Sequence, residues 1–136
     1  MPQFIYDKLN SFGQLDLSGS GTAFPDTMDL GDADISRMTV DIKIVGAVPA
    51  VSGAPTAANL TVSVQGSNDS AFSATEVLGQ RIIPLAVLAA GEGRVAVSPN
   101  RYRYVRVTVA KTFTGGTSPA FSAGLIEAFI NTYLGK

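Results

Sequence analysis

The chain contains no cysteine, no histidine and no tryptophan. Without cysteine there is neither a disulfide framework nor a thiolate metal site, so packing alone must hold the fold, and the redox compartment is not legible. Losing histidine as well removes the usual nucleophile–base pairs and the commonest transition-metal ligands. Any catalysis would have to run on carboxylates, lysine, tyrosine or serine, and the chain is expected not to be an enzyme. Charge is also scarce, at 15% of residues against 46% hydrophobic, where soluble domains usually carry about 25%. The surface must therefore be finished with Ser, Thr, Asn and Gly, which suits a protein that lies against other protein surfaces.

Long apolar runs are missing too. The longest, Ile82 to Ala90, is interrupted by Pro84 and is far shorter than a membrane span. The start, "MPQFIYDKLNSF", has no basic region leading into an apolar core, so it does not read as a secretory signal. A soluble protein made without an export signal, with no membrane partner, is expected. The 136 residues are enough for one domain with an ordinary core.

The charge that is present is split. Residues 1–80 hold nine acids against three bases, a net of −6, and residues 81–136 hold seven bases against two acids, a net of +5. The two halves could pair within one fold or complement a neighbouring subunit. A total of −1 does not suit nucleic-acid binding, for which a net positive domain is expected.

Strand periodicity dominates the pattern. In "MTVDIKIV", Met38, Val40, Ile42 and Ile44 share one face, while Thr39, Asp41 and Lys43 share the other. "LTVSVQGS" repeats this with Leu60, Val62 and Val64 inside and Thr61, Ser63 and Gln65 outside. "SPNRYRYVRVTVA" sets Val105, Val107 and Val109 against Tyr102, Tyr104, Arg106 and Thr108, with Arg101 and Arg103 as a basic lip where the strand leaves a turn. "RIIPLAVL" is compatible with a strand or a short buried helix; Pro84 and the pair Ile82 and Ile83 favour an edge strand. A short strand around Val95 and Val97 and a last strand, "LIEAFINTYL", complete the set. "LSGSGTAFPD" (17–26), "GAVPAVSGAPTAAN" (46–59) and "TGGTSPAFSAG" (114–124) read as loops. Six or more strands and no convincing amphipathic helix predict an all-β, antiparallel β-sandwich of jelly-roll type. Residues 1–25 are expected to form a flexible N-terminal arm and loop, and residues 26–136 the sandwich.

Few patterns carry chemistry. "DTMDLGDADIS" gathers Asp26, Asp29, Asp32 and Asp34 around Gly31, but the spacing is not that of a calcium loop, so a solvated acidic turn and no metal or cofactor are expected. "GSND" (66–69) reads as a hairpin turn. Tyr102, Tyr104 and Arg106 on one face could stack bases, form a hydrogen-bonding seam between sheet and loop, or anchor a protein interface, where Tyr and Arg are enriched. Glu127, between Leu125 and Phe129 on one face, should lie near an arginine or at an oligomer interface, because a carboxylate buried alone is costly.

Taken in order, "DKLNSFGQ", "MDLGD", "LTVSVQGSNDSAFSATEVLG", "IPLAVLAAGEG" and "NRYRYVRVTV" resemble the small jelly-roll cement, or decoration, proteins of tailed bacteriophage capsids. The order and spacing carry the likeness over most of the chain; no single motif does. The resemblance implies a homo-oligomer that binds the outer surface of an icosahedral shell, with the major capsid protein as partner, and ties capsomers together against internal pressure. A dimer is the expected oligomer, since two-fold symmetry is the commonest. The candidate partner-binding residues are Phe4, Ile5 and Tyr6 of the arm and Arg101 and Arg103 of the basic lip. "VQGSNDSAFSATEVL" followed by "RYRYVRV" is also similar to galactose-binding-like sandwiches, which makes a carbohydrate-binding module the alternative, although tryptophan, the usual sugar-stacking residue, is absent.

Overall fold

The computed structural model describes residues 11–30, 35–98 and 102–135. Among them the chain is mostly β. Its elements are β1 (Ser11–Asp16), β2 (Met28–Asp29), β3 (Ile35–Ile44), β4 (Ala50–Ser52), β5 (Ala57–Ser67), β6 (Glu76–Pro84), α1 (Leu85–Ala89), β7 (Arg94–Val97), β8 (Tyr104–Thr114), β9 (Ala120–Ala123) and β10 (Leu125–Gly135). All strand pairs are antiparallel. One four-stranded sheet runs β1-β10-β3-β7, a second runs β2-β8-β5-β6, and β4 and β9 form a separate ribbon.

The alternation read from the sequence decides which faces turn inward. Val40 and Ile42 of β3, Leu60, Val62 and Val64 of β5, Val105, Val107 and Val109 of β8, and Ile126 and Ala128 of β10 all join one buried cluster. Both four-stranded sheets thus contribute to a single core, and each fully buried aliphatic side chain stabilises it by about 1.5–3 kcal/mol. β-Branched residues recur because their stiff rotamers fit the pleated surface.

Several expectations change. Residues 11–25, expected to belong to the arm and loop, form part of this core: β1 pairs with β10, and Phe12, Leu15, Leu17 and Phe24 are buried. The period-two signal of β1 is broken by a register shift between Ser11 and Gly13, which explains why it was not legible. After β1 the backbone runs along the rim of β8: Phe24 N–H donates to the Val107 carbonyl at 3.0 Å and Val109 N–H to that of Thr22 at 2.7 Å. Lys111 Nζ holds the same loop, donating to the carbonyls of Leu17 and Gly19 at 2.8 Å each.

The loops expected at 46–59 and 114–124 contribute β4, β9 and the start of β5. Their strands are too short to show a period. Phe121 of β9 is nonetheless buried, with its ring 5.4 Å from that of Phe113. "RIIPLAVL" proves to be both strand and helix: β6 ends at Pro84 and α1 begins at Leu85. Proline's fixed φ and missing N–H suit that junction. β6 is an edge strand, as expected, but its free side lies against β7. A Cβ on Gly79 would come within 2.3 Å of the Ala96 carbonyl oxygen, and Arg81 Nη1 donates to the carbonyls of Glu92 at 3.0 Å and Arg94 at 2.8 Å. An arginine at that edge blocks further strand pairing.

Candidate partner-binding surface

Of the five candidate partner-binding residues, only Arg103 lies among the described residues; Phe4, Ile5, Tyr6 and Arg101 fall outside them. Arg103 immediately precedes β8. Its guanidinium forms a two-pronged pair with Asp29 of β2, Nε to Oδ1 at 2.9 Å and Nη2 to Oδ2 at 3.1 Å. It also lies 5.1 Å from the centre of the Tyr104 ring, while its backbone N–H donates to Asn68 Oδ1 at 3.1 Å. The fork geometry suits a planar guanidinium and carboxylate. Both side chains are about half exposed, so the pair contributes no more than about 1 kcal/mol. The structural consequence is alignment: β2, the β5–β6 turn and the start of β8 are drawn together at one residue, Arg103, through its side chain and its backbone N–H.

The other members of the Tyr–Arg stretch are engaged in the same way. Tyr102 donates its hydroxyl to Glu76 at 2.7 Å, and that hydrogen bond raises its pKa above the usual phenol value, with burial and the Glu76 charge adding to it. Arg106 Nε donates to Gln65 at 2.8 Å, and its guanidinium stacks 4.7 Å over the Phe72 ring. Tyr102 and Arg106 therefore serve to pin the β5–β6 turn rather than stand ready for bases. The acids Asp29, Asp69 and Glu76 around them oppose a phosphate backbone.

The turn at 68–75 behaves as the Asn and Asp side chains dictate. Asp69 accepts from the Ala71 N–H at 3.0 Å and from the Ser73 hydroxyl, and these bonds, Ser73 first, hold its carboxyl below the ordinary value. The "GSND" stretch thus joins β5 to β6 as a hairpin. Ser67, Asn68, Asp69, Thr75, Glu76 and Tyr102 enclose an open polar recess there.

Among the acids of 26–34, Asp26 and Asp29 are described and Asp32 and Asp34 are not; among the described residues no three metal-ligating side chains gather. Two carboxylates lie on the outer face of β1-β10-β3-β7. Asp41, on the solvent side of the alternation, is only 6% exposed; it lies between Phe129 and Arg94 in the ladder and accepts from Arg94 Nε at 2.9 Å. Glu127, expected near an arginine or at an oligomer interface, is met by the Ser11 hydroxyl at 2.9 Å and stands opposite Lys43. No helix among the described residues is long and apolar enough to cross a membrane.

No protein-family model matches the chain, and no curated protein matches its sequence.

Proposed function

We propose that the chain is a capsid cement, or decoration, protein, which binds the outside of an icosahedral phage shell and stabilises contacts between capsomers. The observation that carries this is the strand order. With β4 and β9 set aside, eight strands remain, β1-β10-β3-β7 in one sheet and β2-β8-β5-β6 in the other. The first strand lies beside the last, and the second beside the next to last. This succession supports the jelly-roll reading, an architecture used by viral capsid and lectin domains.

Architecture alone does not assign function. The likeness of the ordered segments to cement proteins and the low charge add to it. Such a protein acts without catalysis or cofactor, as a homo-oligomer whose partner is the major capsid protein. It is made in the host cytoplasm, ends on the outer surface of the virion, and binds neither nucleic acid nor membrane. Each contact can be weak, because an oligomer engaging several capsid subunits turns later contacts into intramolecular ones.

The test is co-sedimentation with expanded, decoration-free shells. Saturable binding at a fixed ratio to capsid protein, with a raised shell-opening temperature, is expected; no binding sinks the proposal. Deleting residues 1–10 and changing Arg101→Glu then test the arm and the lip. The deletion stops before Phe12, since that side chain is fully buried, and Arg103 is a poorer target because its loss also breaks the Asp29 pair.

A second reading, a galactose-binding-like carbohydrate module, is favoured by the open recess holding Asn68, Asp69, Glu76 and Tyr102. Hydrogen bonds within the loop already engage these side chains, which leaves few groups for a sugar. Glycan-array hits abolished by Tyr102→Ala would reverse the order of the two readings.

A further inference from the structure

The outer faces of the two sheets differ in kind. On β10-β3-β7, Glu127 stands opposite Lys43, and Asp41 opposite Arg94. On β8-β5-β6, one row across the three strands is Ala110, Thr61 and Ile82, and the next is Thr108, Ser63 and Gln80. The one charged side chain pointing outward there among the described residues is Arg106, which is engaged with Gln65 and stacked on Phe72. Two of the most exposed large apolar side chains stand on the same face, Ile82 at 61% and Val77 at 50%.

We infer that the outer face of β8-β5-β6 is a self-association surface, on which a second copy of the chain seats face to face through the same strands. This rests on the homo-oligomer in the proposed function. A two-fold contact brings a patch against itself. Burying the ion-paired rows of the other sheet would cost desolvation, whereas a hydroxyl-rich face with Ile82 and Val77 projecting, whose one outward charge, Arg106, is already engaged with Gln65 and Phe72, carries less of that cost. Strand addition at the neighbouring edge is blocked, since β6 lies against β7 at Gly79 and Arg81.

The size of the face sets the strength. Three strands about 4.8 Å apart, rising about 3.3 Å per residue over some nine positions, cover on the order of 400 Å². That is about half of what each partner gives to a standard interface. Association in solution is therefore weak and concentration-dependent, and is reinforced when neighbouring copies are held on a repeating lattice.

Sedimentation equilibrium of the full chain from low micromolar to high micromolar concentration tests this, with Ile82→Glu on the face and Arg37→Glu on the opposite sheet as control. Unfolding midpoints confirm that both variants fold. A monomer–dimer equilibrium is expected, weakened at least about tenfold by Ile82→Glu, which sets an unpaired charge against the partner copy, and unchanged by Arg37→Glu. A variant at position 82 that dimerises like the parent overturns the inference while leaving the oligomer standing. A parent that is monomeric throughout, or a trimer, overturns it as well. Shell co-sedimentation separately decides the capsid reading: loss of shell binding in Ile82→Glu with a monomeric parent would mean that this face meets the shell, not a second copy.

Discussion

The two ends of the molecule solve one problem, the fixing of long loops, by different means. At the end where β5 turns into β6, side chains do it: Asn68 and Asp69 bond backbone N–H groups, Arg103 clamps Asp29, and Tyr102 reaches Glu76. At the other end, β4 and β9 lie within two stretches, 46–59 and 112–124, that contain no charged residue, and there backbone meets backbone. Thr117 N–H donates to the Gly53 carbonyl at 2.9 Å and Thr56 N–H to that of Thr114 at 2.8 Å. A Cβ on Gly116 would fall 2.5 Å from the Gly53 carbonyl oxygen, and one on Gly53 2.5 Å from that of Thr117. Charge-based fixing depends on pH and salt; glycine-based fixing depends on neither, but tolerates almost no substitution.

That contrast can be broken most severely at the uncharged end. Phe121→Ala empties a buried site against Phe113 and should cost about 3–5 kcal/mol, the usual range for losing a core phenylalanine. Denaturant unfolding measures it, and a loss below about 1 kcal/mol would show that the ribbon is not tied to the core. Gly116→Ala comes next. Gly116 has φ +82 and no space for a methyl group, so left-handed strain and the backbone clash together should cost about 2–3 kcal/mol. If the variant unfolds at the parent's midpoint, the close crossing of the two loops is not what holds them.

The sequence was legible where one face of a long strand is buried. In β3, β5 and β8 the buried residues Val40 and Ile42, Leu60, Val62 and Val64, and Val105, Val107 and Val109 are those that alternation selects, because the core covers one face of each strand. It was illegible where the backbone departs from that period. β1 hides behind the shift at Gly13, and β4 and β9 are three and four residues long. Alternation does not show where a cross-strand neighbour covers the outer face: Asp41 shares that face with Thr39 and Lys43, yet it is buried, with Phe129 and Arg94 beside it in the ladder. The sequence shows Arg103 as a charge at a strand end, but its partner Asp29 is 74 residues away, a pairing that no local pattern encodes.

The smallest expected effect lies at the charged end and separates the two ends by pH. The Asp69 carboxyl is held below its ordinary value of 3.8 by the Ser73 hydroxyl and the Ala71 N–H. A depressed folded pKa means that the stabilisation is complete above the unfolded value and is lost as the pH falls through the folded one. The 68–75 turn should therefore loosen below about pH 4, while the uncharged segments beside β4 and β9, which have no group to titrate, should not respond. Amide protection factors measured between pH 6 and pH 3 would show this as a local drop around Ala71 and Ser73. In Asp69→Asn the drop should disappear, because the amide still accepts a hydrogen bond but has no proton to gain. An equal loss of protection at Thr56 and Thr117 over the same range would mean that the two ends open together, and the division between charge-fixed and backbone-fixed loops would fail.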